Sequence, residues 1–202
     1  GASALALMQN FGIGSYRTSW TLLGKLRSCA VLPMRQALSG EVEVDEAFLG
    51  GVNNKEIIAV AAEKRGKATG RIRLKHIKSR EGSEIQDFIT QTIVPGSTII
   101  SDRFKSYPAI VKKGYLHEPQ KKPYFWEEVD GDDERLLPRA HRTASLLKRW
   151  YYGTYQGRVA KESLQSYLDE FVFRFNRRTS GNRGLLFHRM VEAATHAQPK
   201  PH

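Results

Sequence analysis

From residue 41 the chain alternates. Val42 and Val44 point one way and Glu41, Glu43 and Asp45 the other, the period of two of a half-buried strand over 41–48. Two more strands are predicted at 56–63, "EIIAVAAE", and 71–77, "RIRLKHI", joined by the turn-rich "GGVNNK" and "KRGKATG", so the three form a meander. The period then changes. In "SREGSEIQDFITQTI" the positions Ile85, Phe88, Ile89 and Thr92 recur at helical spacing, and "GSTIISD" at 96–102 is again a short apolar strand. "RFKSYPAIVKKG" predicts a short helix ending at Gly114, and residues 115–138 read as irregular. Helices resume at "HRTASLLKRWYYG" and "KESLQSYLDEFVFRFNRR", where Leu164, Tyr167, Leu168, Phe171, Val172 and Phe175 make a wide apolar face. "GLLFHRMVEAATHA" predicts one more helix before a disordered "QPKPH".

Ahead of the strands, residues 3–28 carry two helical stripes separated by "GIGS". Ala4, Leu7, Met8 and Phe11 form one, and Tyr16, Trp20, Leu23 and Leu26 the other, with Ser15 capping the second helix. This resembles a helix-turn-helix in which Arg17, Lys25 and Arg27 face phosphates. A helical hairpin that only packs on the next domain carries the same stripes. Pro33 and Ser39-Gly40 mark a boundary, and the layout read from the sequence is 1–39, helix-turn-helix-like; 40–181, the main domain; and 182–202, a helix and tail.

Three antiparallel strands, a helical crossover and a fourth strand are the order of the RNase H-like fold, an α/β class in which strand 4 lies beside strand 1. Asp45, read as ending strand 1, and Asp102, ending strand 4, then fall side by side although far apart in sequence. Adjacent carboxylates repel, and a divalent cation relieves the repulsion. In polynucleotidyl transfer two such ions about 3.5–4 Å apart serve the attacking and leaving oxygens. A further ligand comes from a helix after the sheet, here "AHRTASLLKRW".

Composition agrees with such chemistry. The 202 residues hold 32 Lys and Arg against 21 Asp and Glu, a formal +11 that favours a polyanionic partner, nucleic acid first. The 40% hydrophobic content supports a real core. No apolar run approaches the ~20 residues of a membrane span, and no export signal is read at the start. Cys29 is the only cysteine, which excludes an internal disulfide and fits an intracellular compartment. The start Gly1-Ala2-Ser3, in place of Met, reads as that of a processed, engineered or partial chain.

Four segments in order, "GEVEVDEAFLGG", "IISDRFKSYPAIVKKGYLHE", "HRTASLLKRWYYGTYQG" and "LQSYLDEFVFRFNRR", resemble the ISXO-type (ISXO2-like, IS1595 group) insertion-sequence transposases of the DDE superfamily, over roughly residues 3–190. The resemblance implies an RNase H-like domain with a mixed five-stranded sheet flanked by helices. It implies binding to terminal inverted repeats and target DNA, cleavage and strand transfer with two Mg2+ or Mn2+ ions, and work as a homo-oligomer on the nucleoid in a bacterial cytoplasm. It also implies an N-terminal zinc ribbon, for which a single cysteine offers no ligand set. Carried over by position, the metal-binding acids are Asp45 and Asp102, and the third ligand, glutamate in many relatives, is His141. An imidazole suits Mn2+ better than Mg2+, and it also serves to orient a water or, protonated, to contact phosphate. Lys148, two helical turns after His141, fills the position of a phosphate-holding lysine, with Arg149 beside it on DNA backbone.

Other features are read on their own terms. Arg71, Arg73 and Lys75 line one face of their strand, as a phosphate stripe or as the charges of an edge strand. Glu46 reads as supporting the acids or solvated, Gly50 and Gly51 as a tight turn, and the acids from Glu127 to Glu134 as a solvated loop. The expectation is a DDE-type transposase. Its rivals are a catalytically inactive DNA-binding remnant and a nuclease of the same fold that cuts without joining.

Overall fold

The structure, a computed structural model, describes residues 3–30, 35–51, 55–80, 82–102, 108–120 and 137–182, and beyond them 185, 188–190, 192 and 193. In chain order its elements are α1 (Ala4–Phe11), α2 (Tyr16–Ser28), β1 (Glu41–Leu49), β2 (Glu56–Arg65), β3 (Ala68–Ile77), α3 (Gly82–Thr92), β4 (Thr98–Ser101), α4 (Pro108–Val111), β5 (Leu116–Pro119), α5 (Pro138–Tyr155) and α6 (Leu164–Asn176). They fall into two compact units, Gln36–Arg149 and a second made of Gly1–Arg35 with Trp150–His202.

The first unit is built on one mixed sheet in the order β3-β2-β1-β4-β5. β1, β2 and β3 are antiparallel neighbours, and α3 carries the chain across so that β4 runs parallel to β1. β2 sits deep in the sheet and Ile58 to Ala62 are fully buried, which explains its unbroken apolar run. Val42, Val44, Ala59 and Ala61 join Ile85, Phe88, Ile89 and Ile99 in one core, so α3 lies on that face through the positions its periodicity marked.

The alternation of β1 does not separate core from solvent as the sequence suggests. Glu41 is exposed, but Glu43 is 2% exposed, because α5 begins over the second face of the strand. The segment read as irregular opens with a strand instead. β5 pairs parallel with β4, anchored by buried Tyr115, whose hydroxyl donates to the Ile93 carbonyl at 2.9 Å. Its four residues end in Pro119, tolerable only because the strand lies at the edge. At the end of β1, Gly50 has φ +101°, a conformation that favours glycine. The acids Glu127 to Glu134 lie outside the described residues.

In the second unit, Ser3 and Ser15 cap α1 and α2 through their hydroxyls. α2 turns a different face inward from the one its apolar stripe predicts. Ser19, Leu23 and Arg27 are buried, while Tyr16, Trp20 and Leu26 are exposed. Arg27 is drawn in by an ion pair with Glu170 at 2.8 Å and by the Tyr167 ring, 3.9 Å from its guanidinium carbon. α6 buries the six apolar positions read from the sequence and Phe173 besides. Trp150, Tyr155, Tyr167 and Phe171 form an aromatic cluster there, with Tyr155 and Tyr167 edge to face at 4.7 Å. Cys29 is buried, its thiol donating to the Lys25 carbonyl. The described residues between 185 and 193 are helical. Among the described residues no helix is long and apolar enough to cross a membrane.

Candidate active site

The parallel pairing of β1 with β4 runs from Glu41 opposite Thr98 to Val44 opposite Ser101, and there β4 stops. Asp102 follows Ser101 and Asp45 follows Val44, so the two acids stand one residue past the last pair, near enough for the charge of Asp102 to act on Asp45. Asp45 itself is not at a strand end as expected. β1 continues to Leu49, and Asp45 remains paired with Val60 of β2. It is β4 that ends, and the pair opens where parallel strands finish, the usual place for a site in a sheet of this kind.

Asp45 is mostly buried, its side chain 20% exposed. Burial pushes its carboxyl above the ordinary aspartate value, and the charge of Asp102 pushes it the same way. The Glu46 backbone N–H, His141 and Arg80 pull against that rise and do not cancel it. His141 stands in contact, with Nε2 3.1 Å from Asp45 Oδ2. Arg80 is held by Glu46 at 2.9 Å, and the Glu46 side chain is only 2% exposed. Glu46 therefore supports the site from below and is not solvated.

His141 reaches Asp45 because α5 starts where it does. Pro138 opens the helix without an N–H, and the next two N–H groups, of Arg139 and Ala140, donate to Glu43 Oε2 at 2.7 and 2.9 Å. Arg139 also donates from Nη1 to Glu43 Oε1 at 2.8 Å, and from Nη2 and Nε to the carbonyls of Gly66 and Ala68 in the β2–β3 turn. Sequence reasoning passed over Glu43 and Arg139. The available signal was a helix beginning "LPRAH", with no capping residue of its own.

On the β4 side the Ser101 hydroxyl donates to the Asp102 carbonyl at 2.9 Å. A hydroxyl has one hydrogen, so His117 Nε2, 2.8 Å away, is the donor to that oxygen. Burial lowers the His117 pKa, which favours the neutral ring with its proton on Nε2.

Lys148 is exposed two turns beyond His141 on the same side of α5, and Arg149 is exposed next to it. Arg17 and Lys25 are exposed on α2. The other cations of the expected DNA surface are engaged by protein groups, Arg27 and Arg73 buried and Arg71 and Lys75 partly exposed. Arg27 is buried as described. Arg71 grips Glu63 through two nitrogens and the Ala37 carbonyl through a third bond, and this grip holds the Glu63 carboxyl below its ordinary value against the cost of burial. Arg73, 4% exposed, donates to the carbonyls of Ile72 and Gln36. Lys75 donates to Gln91 on α3 at 3.0 Å.

Among the described residues no group of three His, Cys, Asp or Glu side chains converges closely enough to hold a metal ion. The donor chemistry nevertheless fits one. A half-buried carboxylate whose ionisation is opposed by burial and by a neighbouring acid is what a hard divalent cation relieves, and an imidazole stands in contact with it.

The sheet order and flanking helices define an RNase H-like protein, and the sequence narrows the class. Residues 37–176 match the model of the ISXO2-like transposase domain, and the chain belongs to that family. Among solved structures it is similar to a chain of the simian T-cell lymphotropic virus intasome in complex with PP2A regulatory subunit B56 gamma. That match has a TM-score of 0.50 and 13% identity over 91% of this chain and 67% of that one, a likeness of fold. The HTLV-2 integrase catalytic core domain, solved with magnesium in trimeric form, matches at TM-score 0.46 and 10% identity, over 73% of this chain and 92% of that one. No curated protein matches the chain.

Proposed function

We propose that the chain is a DDE-type transposase that cleaves DNA at the ends of its insertion sequence and joins the freed ends to target DNA. The observation that supports this reading most is the position of Asp45 and Asp102 one residue past the last β1–β4 pair, with His141 in contact with Asp45. In this reading Asp45, Asp102 and His141 hold divalent ions, Mg2+ or Mn2+, which when bound supply charge stabilisation to the attacking and leaving oxygens of a phosphodiester. Asp45 contributes negative charge from within β1, and Asp102 from the residue that follows β4. Lys148 contacts the flanking phosphate, and Arg17, Lys25 and Arg149, all exposed, contact duplex backbone. Arg27 and Arg73 are left out of those contacts because they are buried, and Arg71 and Lys75 because protein oxygens already hold them. Water is the nucleophile of cleavage and the released 3′-hydroxyl that of joining. The working form is a homo-oligomer on DNA, in the cytoplasm of a bacterium.

The test is cleavage and strand transfer on labelled DNA carrying the element ends, with Mn2+ and with Mg2+, for the parent and Asp102→Asn. Joined product that requires metal and vanishes in the variant supports the proposal. Cleavage without joining points to a nuclease, and DNA binding without chemistry, unchanged in the variant, to a DNA-binding remnant.

A further inference from the structure

Glu43 stands two residues before Asp45 on the same face of β1, and its carboxylate is buried. Both oxygens are committed: Oε2 accepts the N–H groups of Arg139 and Ala140, and Oε1 accepts Arg139 Nη1. A carboxylate so filled is not a ligand in waiting. What it does is satisfy the first turn of α5, which has no acidic residue and no capping side chain of its own, and it sets a negative charge at the positive end of that helix. The next residue along the helix, His141, makes the contact with Asp45. Two same-face positions of β1, about 6.6 Å apart along a strand, thus grip two successive parts of one helical turn. Arg139 adds a third tether, to the Gly66 and Ala68 carbonyls of the β2–β3 turn.

We propose that Glu43 is a positioning residue of the site: it fixes where α5 begins against β1, and so sets the reach of His141 to Asp45. Its effect on metal affinity rests on the transposase reading above; its effect on the His141–Asp45 contact does not. Withdrawing the carboxylate by one methylene shifts the start of the helix and, with it, the imidazole. Removing the charge leaves Arg139 without its acidic partner. Neither change touches a group that meets DNA or metal.

The experiment uses the full chain in two arms. In the metal-free arm, the ring NMR resonances of His141 are compared among the parent, Asp45→Asn, Glu43→Asp and Glu43→Gln. Asp45→Asn reports what losing the contact does, and Glu43→Asp is expected to move the same resonances in the same direction. A Glu43→Asp protein that is folded, less stable and unchanged at His141 overturns the proposal, because Glu43 would then be structural only. Glu43→Gln serves the same comparison if Glu43→Asp does not fold. In the second arm, Mn2+ affinity is read by electron paramagnetic resonance of the free ion. Glu43→Asp is expected to weaken binding about 10-fold in the parent, the size of effect seen when groups behind metal ligands are altered. With His141→Ala already present it is expected to weaken binding less than about 2-fold, because coupled residues do not add. Equal losses in both backgrounds overturn the proposal. If Asp45→Asn leaves Mn2+ binding unaltered, the metal reading has failed, and the ring resonances alone decide the role of Glu43.

Discussion

Replacing Asp45 by Asn is expected to make the metal-free protein more stable while removing its response to metal. Burial and Asp102 together raise the Asp45 carboxyl above its ordinary value, so the fold opposes the charged form. For an acid raised in this way the favourable neutral state is present below the ordinary value and is lost as pH rises through the folded one. Each unit of such a rise costs about 1.4 kcal/mol, and about 1 kcal/mol moves the midpoint of a chain this size by roughly 2–4 °C. Asparagine keeps the shape and removes the charge, so in EDTA at pH 7.5 Asp45→Asn is expected to melt above the parent, by roughly 2–4 °C for each kcal/mol of that cost, with a smaller gap at pH 4.5. Mn2+ at 100 times its dissociation constant stabilises the parent by about 2.7 kcal/mol, and the ranking then inverts. Scanning calorimetry at the two pH values, with EDTA and with Mn2+, checks both halves. An Asp45→Asn protein less stable than the parent in EDTA, or stabilised equally by Mn2+, refutes the reasoning.

Other outcomes follow from the same geometry. Arg27→Ala takes the buried cation from Glu170, which keeps Arg174 at 3.6 Å and the Tyr155 hydroxyl at 3.3 Å, and is expected to cost about 1.5–3 kcal/mol, whereas exposed Lys25→Ala stays within about 0.5 kcal/mol of the parent by denaturant unfolding. Burial, followed by the Glu170 charge, pushes the Tyr155 hydroxyl up to about 12. Its neutral form therefore stabilises the fold below pH 10, and that contribution is lost as pH rises from 10 through 12. An alkaline melting series of Tyr155→Phe is expected to fall less steeply there than the parent's. His141→Glu exchanges an imidazole for a harder ligand and is expected to raise Mg2+-supported cleavage relative to Mn2+-supported cleavage. A metal preference unchanged by that substitution speaks against His141 as a ligand.

The sheet was legible because its signals are local. The strand at β1, the apolar run of β2 and the helical spacing of Ile85, Phe88 and Ile89 each survive in the structure, although burial does not follow the alternation of β1. The neighbourhood of Asp45 and Asp102 followed from strand order alone, since parallel pairing of β1 with β4 leaves few registers that bury Val42 and Ile99 together. His141 was reached only through the family resemblance, for nothing in a lone histidine on a helix says which strand it meets. Glu43 was missed because alternation distinguishes two faces of a strand but not solvent from a second layer of structure. Arg27 could not be assigned from sequence either: its partner Glu170 lies 143 residues away, and a cation that stacks on Tyr167 looks the same in sequence as one that faces phosphate. β5 was too short and too near a proline to stand out from loop.

On this reading Asp45 and Asp102 form one site. Anomalous diffraction at the manganese edge from crystals of the chain grown with Mn2+ tests it most directly. Density contacting the carboxylates of both Asp45 and Asp102, with His141 adjacent, is the expected result. Manganese bound elsewhere, or a structure in which the two carboxylates face away from each other, contradicts it.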